Sequence, residues 1–214
     1  SMTGGAGNDL VSYAEAAPGV TVDLAEPSRN LGDAMGDAIS GVERIEGSAY
    51  ADALYGDSGD NTLAGGAGAD TLFGGGGRDR ASYAGSDPVW VDLGNEISTG
   101  GDAEGDVLAG IAEIGGSEGA DTLAGDGSDN QIDGSGGDDL LAGRGGADTL
   151  IGGAGQDTVS YAGSAATSID LGAGTASGGD AEGDVLGSIE NLIGSSGDDT
   201  LTSDGGDNVL LGGA

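Results

Sequence analysis

Residues 125–160 decide the fold, because they divide into four lines of nine residues: GDGSDNQID, GSGGDDLLA, GRGGADTLI and GGAGQDTVS. Each line opens with Gly, carries Asp or Asn at its sixth place and has an aliphatic residue at its eighth place. The sixth-place residues are Asn130, Asp139, Asp148 and Asp157. The eighth-place residues are Ile132, Leu141, Leu150 and Val159. A polar and an apolar residue that both recur every nine residues indicate a stacked repeat architecture.

The chemistry of one repeat predicts a turn followed by a short strand. Six Gly-rich residues favour a tight turn, since Gly permits positive φ angles and lets backbone carbonyls crowd one point. The next residues, such as Asp148 to Ile151, favour a short strand with one side chain pointing inward. Two turn–strand units then close one coil of eighteen residues, and stacked coils lie about 4.8 Å apart. The eighth-place residues fill a thin interior that is buried only between neighbouring coils.

Stacking aligns the sixth-place carboxylates and makes them repel. Two carboxylates about 5 Å apart repel by roughly 3 kcal/mol at an effective dielectric constant of 20. A hard dication removes this repulsion and uses the oxygens as ligands. Calcium accepts six to eight oxygen ligands, carbonyls included, in irregular geometry, whereas magnesium demands a tighter octahedron. The pattern therefore favours several bound Ca²⁺ ions in each chain.

The repeat resembles the calcium-binding nonapeptide GGxGxDxUx, with U a large apolar residue, of the RTX (haemolysin-type) family. Segments between the repeats, such as SYAGS at Ser82–Ser86 and IENLIGS at Ile189–Ser195, are similar to those found between RTX blocks, so the resemblance covers essentially all 214 residues. It implies an all-β fold, a right-handed parallel β-roll or β-solenoid built from calcium-binding nonapeptides. Wider irregular coils are expected to interrupt it.

The chain is predicted to form one continuous β-roll fragment over residues 1–214. Regular nonapeptides occupy four blocks, 4–12, 47–82, 116–160 and 194–214. The inter-block segments 13–46, 83–115 and 161–193 share a common order of a Ser-Tyr pair, a short apolar strand and a Gly-Asp turn, and the turn reads GDAEGD in the last two. We expect these segments to be wider coils of the same roll, with Ile39, Leu108 and Leu186 pointing inward.

The predicted calcium ligands fall into three groups. At the sixth and second places of the repeats they are Asp9, Asp52, Asp57, Asn61, Asp70, Asp79, Asp121, Asp126, Asn130, Asp139, Asp148, Asp157, Asp199, Asp204 and Asn208. In the turns they are Gly65, Gly66, Gly68, Gly74, Gly75, Gly77, Gly134, Gly136, Gly143, Gly145, Gly152, Gly153 and Gly155. In the two GDAEGD turns they are Asp102, Asp106, Asp180 and Asp184.

Two interpretations of the Asn-containing repeats stay open. Wherever the sixth place is Asn, the second place is Asp, as in the pair Asp57 and Asn61. The carboxylate has either moved across the turn to serve a shared ion, or the Asn side chains form a hydrogen-bonded ladder without metal. For the whole acidic set, the alternative to metal binding is a solvated acidic face on a metal-free solenoid.

Composition excludes several classes of function. The chain has 38 acidic and 5 basic residues and a net charge of −33, so no basic surface exists to meet the phosphates of a nucleic acid. It lacks Cys and His, which removes thiolate, disulfide and Ser-His-Asp chemistry. No apolar run is long enough to span a membrane. Adjacent carboxylates such as Asp138 and Asp139 face different ways along a strand, and a small solenoid offers no obvious pocket, so no enzymatic activity is expected.

We therefore predict a calcium-binding structural module. The resemblance implies that it is part of a larger secreted protein, is exported by a type I system, and folds outside the cell when it meets calcium. The alternatives are an adhesin or polysaccharide-binding module that presents the inter-block loops, with Trp90, Phe73 and the Tyr residues as contacts, or the folding appendage of a secreted protease or lipase. Calcium and an extracellular polysaccharide or cell surface are the expected partners, and the excised chain is expected to be monomeric. Interior or cap packing is the other explanation of the aromatic residues.

Overall fold

Three-residue strands at places seven to nine are the building unit of the fold in a computed structural model, which describes residues 1–213. In the strand Thr62–Ala64 the eighth-place Leu63 is fully buried, and its two neighbours are half-buried. Side chains alternate across a strand, so one apolar residue in three is enough to build one wall of an interior. The Gly-rich turns on either side keep each strand short.

Within residues 1–213 the chain forms 24 strands. These are β1 (Met2–Thr3), β2 (Leu10–Ser12), β3 (Thr21–Asp23), β4 (Ile39–Ser40), β5 (Arg44–Glu46), β6 (Ala53–Tyr55), β7 (Thr62–Ala64), β8 (Thr71–Phe73), β9 (Arg80–Ser82), β10 (Trp90–Asp92), β11 (Ile97–Thr99), β12 (Val107–Ala109), β13 (Glu113–Gly115), β14 (Thr122–Ala124), β15 (Gln131–Gly136), β16 (Leu140–Ala142), β17 (Thr149–Ala154), β18 (Thr158–Ser160), β19 (Ser168–Asp170), β20 (Thr175–Ser177), β21 (Val185–Gly187), β22 (Asn191–Ile193), β23 (Thr200–Thr202) and β24 (Val209–Leu211). Single 3₁₀ turns cover Pro27–Arg29, Gly32–Ala34, Gly101–Ala103 and Gly179–Ala181.

The first of two compact units contains Ser1–Val89 and Ser98–Glu113. Two parallel sheets run through it, one in the order β3-β6-β8-β12 and the other in the order β2-β5-β7-β9. Within the regular block the register advances by eighteen residues, for example from Leu54 to Leu72. Consecutive repeats therefore alternate between the two sheets, and two repeats make one coil, as the sequence predicts.

The second unit contains Trp90–Ile97 and the chain from Ile114 onward. One of its sheets runs in the order β10-β14-β16-β18-β22-β24 and is parallel throughout. The other contains β15-β17-β21-β20-β19-β23, in which β20 runs antiparallel to both of its neighbours. The all-β, mainly parallel architecture predicted from the nonapeptides is confirmed, whereas the antiparallel strand β20 was not foreseen. Continuity of one roll across the two units stays a prediction.

The interior is a row of eighth-place side chains that are fully shielded from solvent. Those with no exposed surface are Leu54, Leu63, Leu72, Ala81, Leu123, Ile132, Leu141, Leu150 and Val159. The inter-block segments add to the same rows, because Leu72 pairs with Leu108 and Leu150 pairs with Leu186, each 36 residues away. That these segments form wider coils of one roll stays a prediction. Ile39 and Leu186 are buried, and Leu108 is half-buried.

The aromatic residues divide into two groups. Tyr13, Tyr83 and Tyr161 are buried, in agreement with interior packing. Trp90 and Phe73 are 48% and 44% exposed, so interior packing does not describe them. Among residues 1–213 there is no helix with the length and apolar character needed to cross a membrane.

Candidate metal centre

The sixth-place carboxylates form hydrogen-bonded ladders that link each coil to the next. In the second unit the backbone N–H of Asp121 donates to Asp139 Oδ1 at 2.8 Å, and the N–H of Asp139 donates to Asp157 Oδ1 at 2.9 Å. In the first unit the N–H of Asp52 donates to Asp70 Oδ1 at 2.7 Å. The eighteen-residue coil brings these groups together. One oxygen of Asp70, Asp139 and Asp157 is therefore used to hold the stack.

The second oxygen of many of these carboxylates is buried and has no partner within the described part of the chain. The residues with such an Oδ2 atom are Asp9, Asp70, Asp79, Asp139, Asp148 and Asp157. All but Asp9 are at most 2% exposed. A buried acceptor without a hydrogen bond costs about 1–3 kcal/mol, and more when it is charged. These six oxygens are the strongest indication that the turns hold a cation.

The unpartnered oxygens occur in one turn conformation, which we call the open turn. In an open turn the second-place residue has a positive φ angle, so its N–H does not donate to the sixth-place carboxylate. The second-place residues concerned are Gly5, Gly66, Gly75, Ser135, Arg144 and Gly153, with φ between 69° and 111°. Ser135 and Arg144 adopt this region although they carry side chains, which is uncommon outside Gly.

Five of the other six repeats have a closed turn, in which the second-place residue lies outside the left-handed region and its N–H donates to the sixth-place side chain. Ser117 N donates to Asp121 Oδ2 at 2.6 Å, and Ser117 Oγ donates to Asp121 Oδ1 at 2.9 Å. The turns with Ser48 and Ser195 at the second place repeat this pattern. Both oxygens of these carboxylates are occupied by groups of their own turn.

Two of the three Asp/Asn repeats are also closed turns. Asp126 N donates to Asn130 Oδ1 at 2.8 Å, and the Asp126 carboxylate accepts the N–H of Ser128 at 2.7 Å. Asp57 and Asn61 are arranged in the same way, with distances of 2.8 and 2.7 Å. These bonds lie within one turn, and the choice between a shared ion and an Asn ladder stays open. At the end of the chain, Asp204 accepts the N–H of Gly206, and Asn208 Oδ1 is unpartnered.

The predicted glycine ligands line the open turns. First-place glycines are Gly65, Gly74, Gly134, Gly143 and Gly152; the other places hold Gly66, Gly75 and Gly153 (second), Gly136 and Gly145 (third), and Gly68, Gly77 and Gly155 (fourth). A Cβ added at Gly134 would collide with Asp139 Oδ2 and would lie 2.7 Å from the carbonyl oxygen of Gly152. A carboxylate oxygen and a carbonyl of the next coil thus meet at a point that only Gly leaves free.

A cation at an open turn needs carbonyl ligands in addition to the carboxylate. Among residues 1–213 no three or more acidic side chains converge in a group that could hold a metal. Ca²⁺ accepts carbonyl oxygens and tolerates irregular geometry, whereas Mg²⁺ retains water and requires a strict octahedron. The residues at the open turns fit Ca²⁺ on these grounds.

Burial raises the pKa of several carboxylates in the ladders. Desolvation raises the pKa of Asp139 to about 7, and the charges of Asp121 and Asp157 raise it as well, against the lowering effect of the hydrogen bond from Asp121 N–H. Desolvation likewise raises the pKa of Asp70 and of Asp148 to about 7. Carboxylates that resist ionisation in this way are stabilised in their charged form by a nearby cation.

The second Asp of each GDAEGD turn belongs to the ladder and has both oxygens in use. Asp106 Oδ1 accepts the N–H of Asp70 at 2.8 Å, and its Oδ2 accepts the hydroxyl of Tyr83 at 3.1 Å. Asp184 makes the equivalent bonds with Asp148 and Tyr161, at 2.8 and 2.9 Å. The first Asp of each turn lies at the surface: Asp102 is half-buried and Asp180 is exposed. Metal binding by these four residues stays a prediction.

Three sets of polar residues in the ladders were missed from the sequence. The buried Tyr hydroxyls were not assigned a partner, and neither were the second-place serines Ser48, Ser117 and Ser195. Glu43 and Glu190 also act as sixth-place residues, because their Oε2 atoms accept the N–H groups of Asp9 and Asp157. The signal for the two Glu residues was available, since each stands two places before a buried aliphatic residue, as a sixth-place Asp does.

A comparison with protein families finds a match over more than half of the chain. The model described as "RTX calcium-binding nonapeptide repeat (4 copies)" matches residues 38–70, 46–81, 115–150, 133–163 and 187–214. These ranges contain all of the open turns except the one at Asp9. No curated protein matches the chain.

Proposed function

Because the chain belongs to the RTX calcium-binding nonapeptide-repeat family and is a calcium-binding structural module, we propose that calcium drives its folding after export from the cell. The observation that carries this proposal is the set of six buried Oδ2 atoms without a partner. At about 1–3 kcal/mol each, their combined cost is comparable with the ~5–15 kcal/mol that stabilises an ordinary domain. The stacked coils are therefore unstable until a cation satisfies these oxygens.

The residues that would hold the ion are the open-turn carboxylates and the first-place carbonyls beside them. The bound dication supplies positive charge and an acceptor for lone pairs that the protein leaves unsatisfied. The chain's own part is to preform the turn: the sixth-place Oδ1 anchors the carboxylate to the previous coil, and the positive φ angle at the second place keeps the N–H away from Oδ2. Binding free energy then becomes folding free energy.

Export as part of a larger secreted protein is the setting that this chemistry favours. A net charge of −33 opposes compaction where calcium is scarce, as in the cytosol. Outside the cell calcium is abundant, and the absence of Cys means that folding requires no oxidation step. A chain that is unfolded inside and folded outside suits type I secretion, and we propose an extracellular location.

We assign the module no catalytic step. The neighbouring carboxylates Asp138 and Asp139 differ in environment, since Asp139 is buried in the ladder and Asp138 is exposed and accepts the N–H of Gln156. Each is therefore committed to stacking the coils. A glycosidase needs two carboxyl groups that face one cleft.

The experiment that tests the proposal is a calcium titration of the full chain followed by far-UV circular dichroism, with magnesium as the control. A coil spectrum in chelator that converts cooperatively to a β spectrum with calcium, and not with equal magnesium, is the expected result. A β spectrum that persists in chelator at neutral pH would contradict calcium-driven folding.

Sugar binding is a second candidate, favoured by one observation. Tyr55 and Phe73 lie on adjacent strands of the first unit with ring centroids 6.1 Å apart, and Phe73 is 44% exposed. Exposed aromatic rings on a sheet offer an apolar surface to the faces of sugar rings. Binding of neutral oligosaccharides that is lost in Phe73→Ala and kept in Trp90→Ala would support it. Equal binding by all three proteins would remove it.

A further inference from the structure

We propose that only the open turns hold calcium. The two closed turns at the start of block 47–82, and those at the start of block 116–160, then form coils that need no metal. This inference rests on the proposed function and makes it specific. It divides twelve complete nonapeptides, each with Asp or Asn at the sixth place, into six open turns and six turns whose second place is not left-handed, five of them closed. The division follows from hydrogen bonding and not from the number of acidic residues.

Backbone conformation and side-chain bonding correspond throughout the repeats. Every repeat whose second-place residue has a positive φ angle also has a buried sixth-place Oδ2 without a partner. In the remaining repeats the second-place residue lies outside that region, and five of the six show a hydrogen bond from its N–H to the sixth-place side chain. The exception is Asn208, in the last complete repeat of the chain. One backbone rotation thus decides whether a carboxylate oxygen is available.

In a closed turn, moreover, the sixth-place side chain already accepts hydrogen bonds from its own turn. Asp121 receives the N–H and the hydroxyl of Ser117, one on each oxygen. In the next closed turn the sixth-place residue is Asn130, which carries no charge and accepts the N–H of Asp126. Internal donors take the position that a cation takes in an open turn.

The two classes of turn also follow a fixed order along the chain. Block 47–82 begins with two closed turns and continues with two open turns, and block 116–160 begins with two closed turns and continues with three open turns. Two repeats make one coil, so the first coil of each block is closed and the coils stacked on it are open. The closed coil supplies a stack whose hydrogen bonds exist before any ion is bound.

The matched pair Asp139→Asn and Asp121→Asn tests the inference in the full chain. Both residues are buried sixth-place Asp residues of the same ladder, one in an open turn and the other in a closed turn. Equilibrium dialysis against radioactive Ca²⁺ counts the ions retained at saturation. We expect D139N to retain fewer ions than the unmodified chain and D121N to retain the same number, because closed turns already accommodate Asn at this place.

A variant that is expected to gain a calcium site is the control for variants that lose calcium because they misfold. Ser117→Gly removes the hydroxyl that occupies Asp121 Oδ1 and permits the positive φ angle of an open turn. We expect S117G to retain more calcium than the unmodified chain, and S117G/D121N to return to the original number. A folding defect cannot produce this increase.

The outcomes separate the inference from the function on which it rests. If the unmodified chain retains no calcium, the proposed function fails. If it retains calcium but D121N loses as many ions as D139N, or S117G gains none, the two-class assignment is overturned while calcium-driven folding stands.

Discussion

At the scale of single residues, each buried Tyr hydroxyl is committed to one carboxylate oxygen. Tyr83 donates to Asp106, and Tyr161 donates to Asp184; these two Asp residues also accept a backbone N–H from the neighbouring coil. Desolvation raises the pKa of both Tyr hydroxyls, and the negative charge of the partner carboxylate raises it further. The hydroxyls therefore remain protonated donors throughout the physiological range.

Tyr83→Phe is expected to reduce the free energy of unfolding of the calcium-loaded chain by about 1–3 kcal/mol. The change leaves Asp106 Oδ2 buried without its donor and alters the packing volume very little. Urea denaturation at saturating calcium measures the effect. Tyr50→Phe is the control, since Tyr50 is 51% exposed. Equal stabilities of the two variants would show that the hydroxyl of Tyr83 is not needed.

Single residues also mark the limit of prediction from the sequence. The period of nine identified every sixth-place side chain, but it did not show which of them had a free oxygen. Ser135 and Arg144 illustrate the reason, because both adopt a positive φ angle that their side chains disfavour. Ser135 also lies in register with Gly153, the second-place residue of the next coil, which is eighteen residues away. The identity of the residue alone does not reveal such a contact.

At the scale of elements, a typical three-residue strand contributes one side chain to a thin interior and two to its surroundings. In β16 the eighth-place Leu141 is fully buried, and Leu140 beside it is 38% exposed. Leu141 lies between Leu123 and Val159 of the adjoining strands. A solenoid has no other layer that could fill a gap in this row.

Leu141→Ala is expected to destabilise the calcium-loaded chain by about 2–5 kcal/mol, because it opens a cavity between two coils. Leu140→Ala removes the same atoms from the same strand and is expected to change stability by less than about 1 kcal/mol. Thermal or urea unfolding at saturating calcium compares the two. Similar losses from both variants would mean that the interior row does not dominate stability.

The elements were predictable to different degrees. The eighteen-residue register and the buried eighth place follow from a period that the sequence displays directly. The antiparallel strand β20 lies in an inter-block segment, where no period fixes the chain direction, and its pairing with β19 and β21 depends on contacts within the coil. The partner of Tyr161 was missed for the same reason, since Asp184 is 23 residues away and outside any nonapeptide.

At the scale of the whole molecule, the buried carboxylates couple folding to pH. In the calcium-free fold, desolvation raises the pKa of Asp70, Asp139 and Asp148 to about 7, compared with about 3.9 for an Asp in an unfolded chain. The folded form therefore binds more protons than the unfolded form between these values. Its stability from these groups is fully present below about pH 4 and is lost as the pH rises through about 7.

Calcium is expected to reverse this dependence. In chelator, lowering the pH from 8 to 5 should increase the β signal, because protons neutralise the buried carboxylates. In the presence of calcium, the same change should raise the calcium concentration at the folding midpoint, because protons compete for the same oxygens. Circular dichroism at a series of pH values, with and without calcium, measures both. Acid-induced loss of β structure in chelator would contradict the role assigned to these carboxylates.

Consecutive repeats alternate between two sheets. Whether a block has an even or an odd number of repeats therefore decides on which sheet the block ends. In the first unit a block of four repeats starts on the sheet of β6 and ends on the opposite sheet with β9. In the second unit a block of five repeats starts with β14 and ends on the same sheet with β18. Duplication of eighteen residues lengthens such a protein without redirecting the next segment of the chain, whereas duplication of nine sends that segment out from the other face. Insertions of a single repeat can therefore change which side of the molecule carries its variable segments, without altering any turn, strand or ligand.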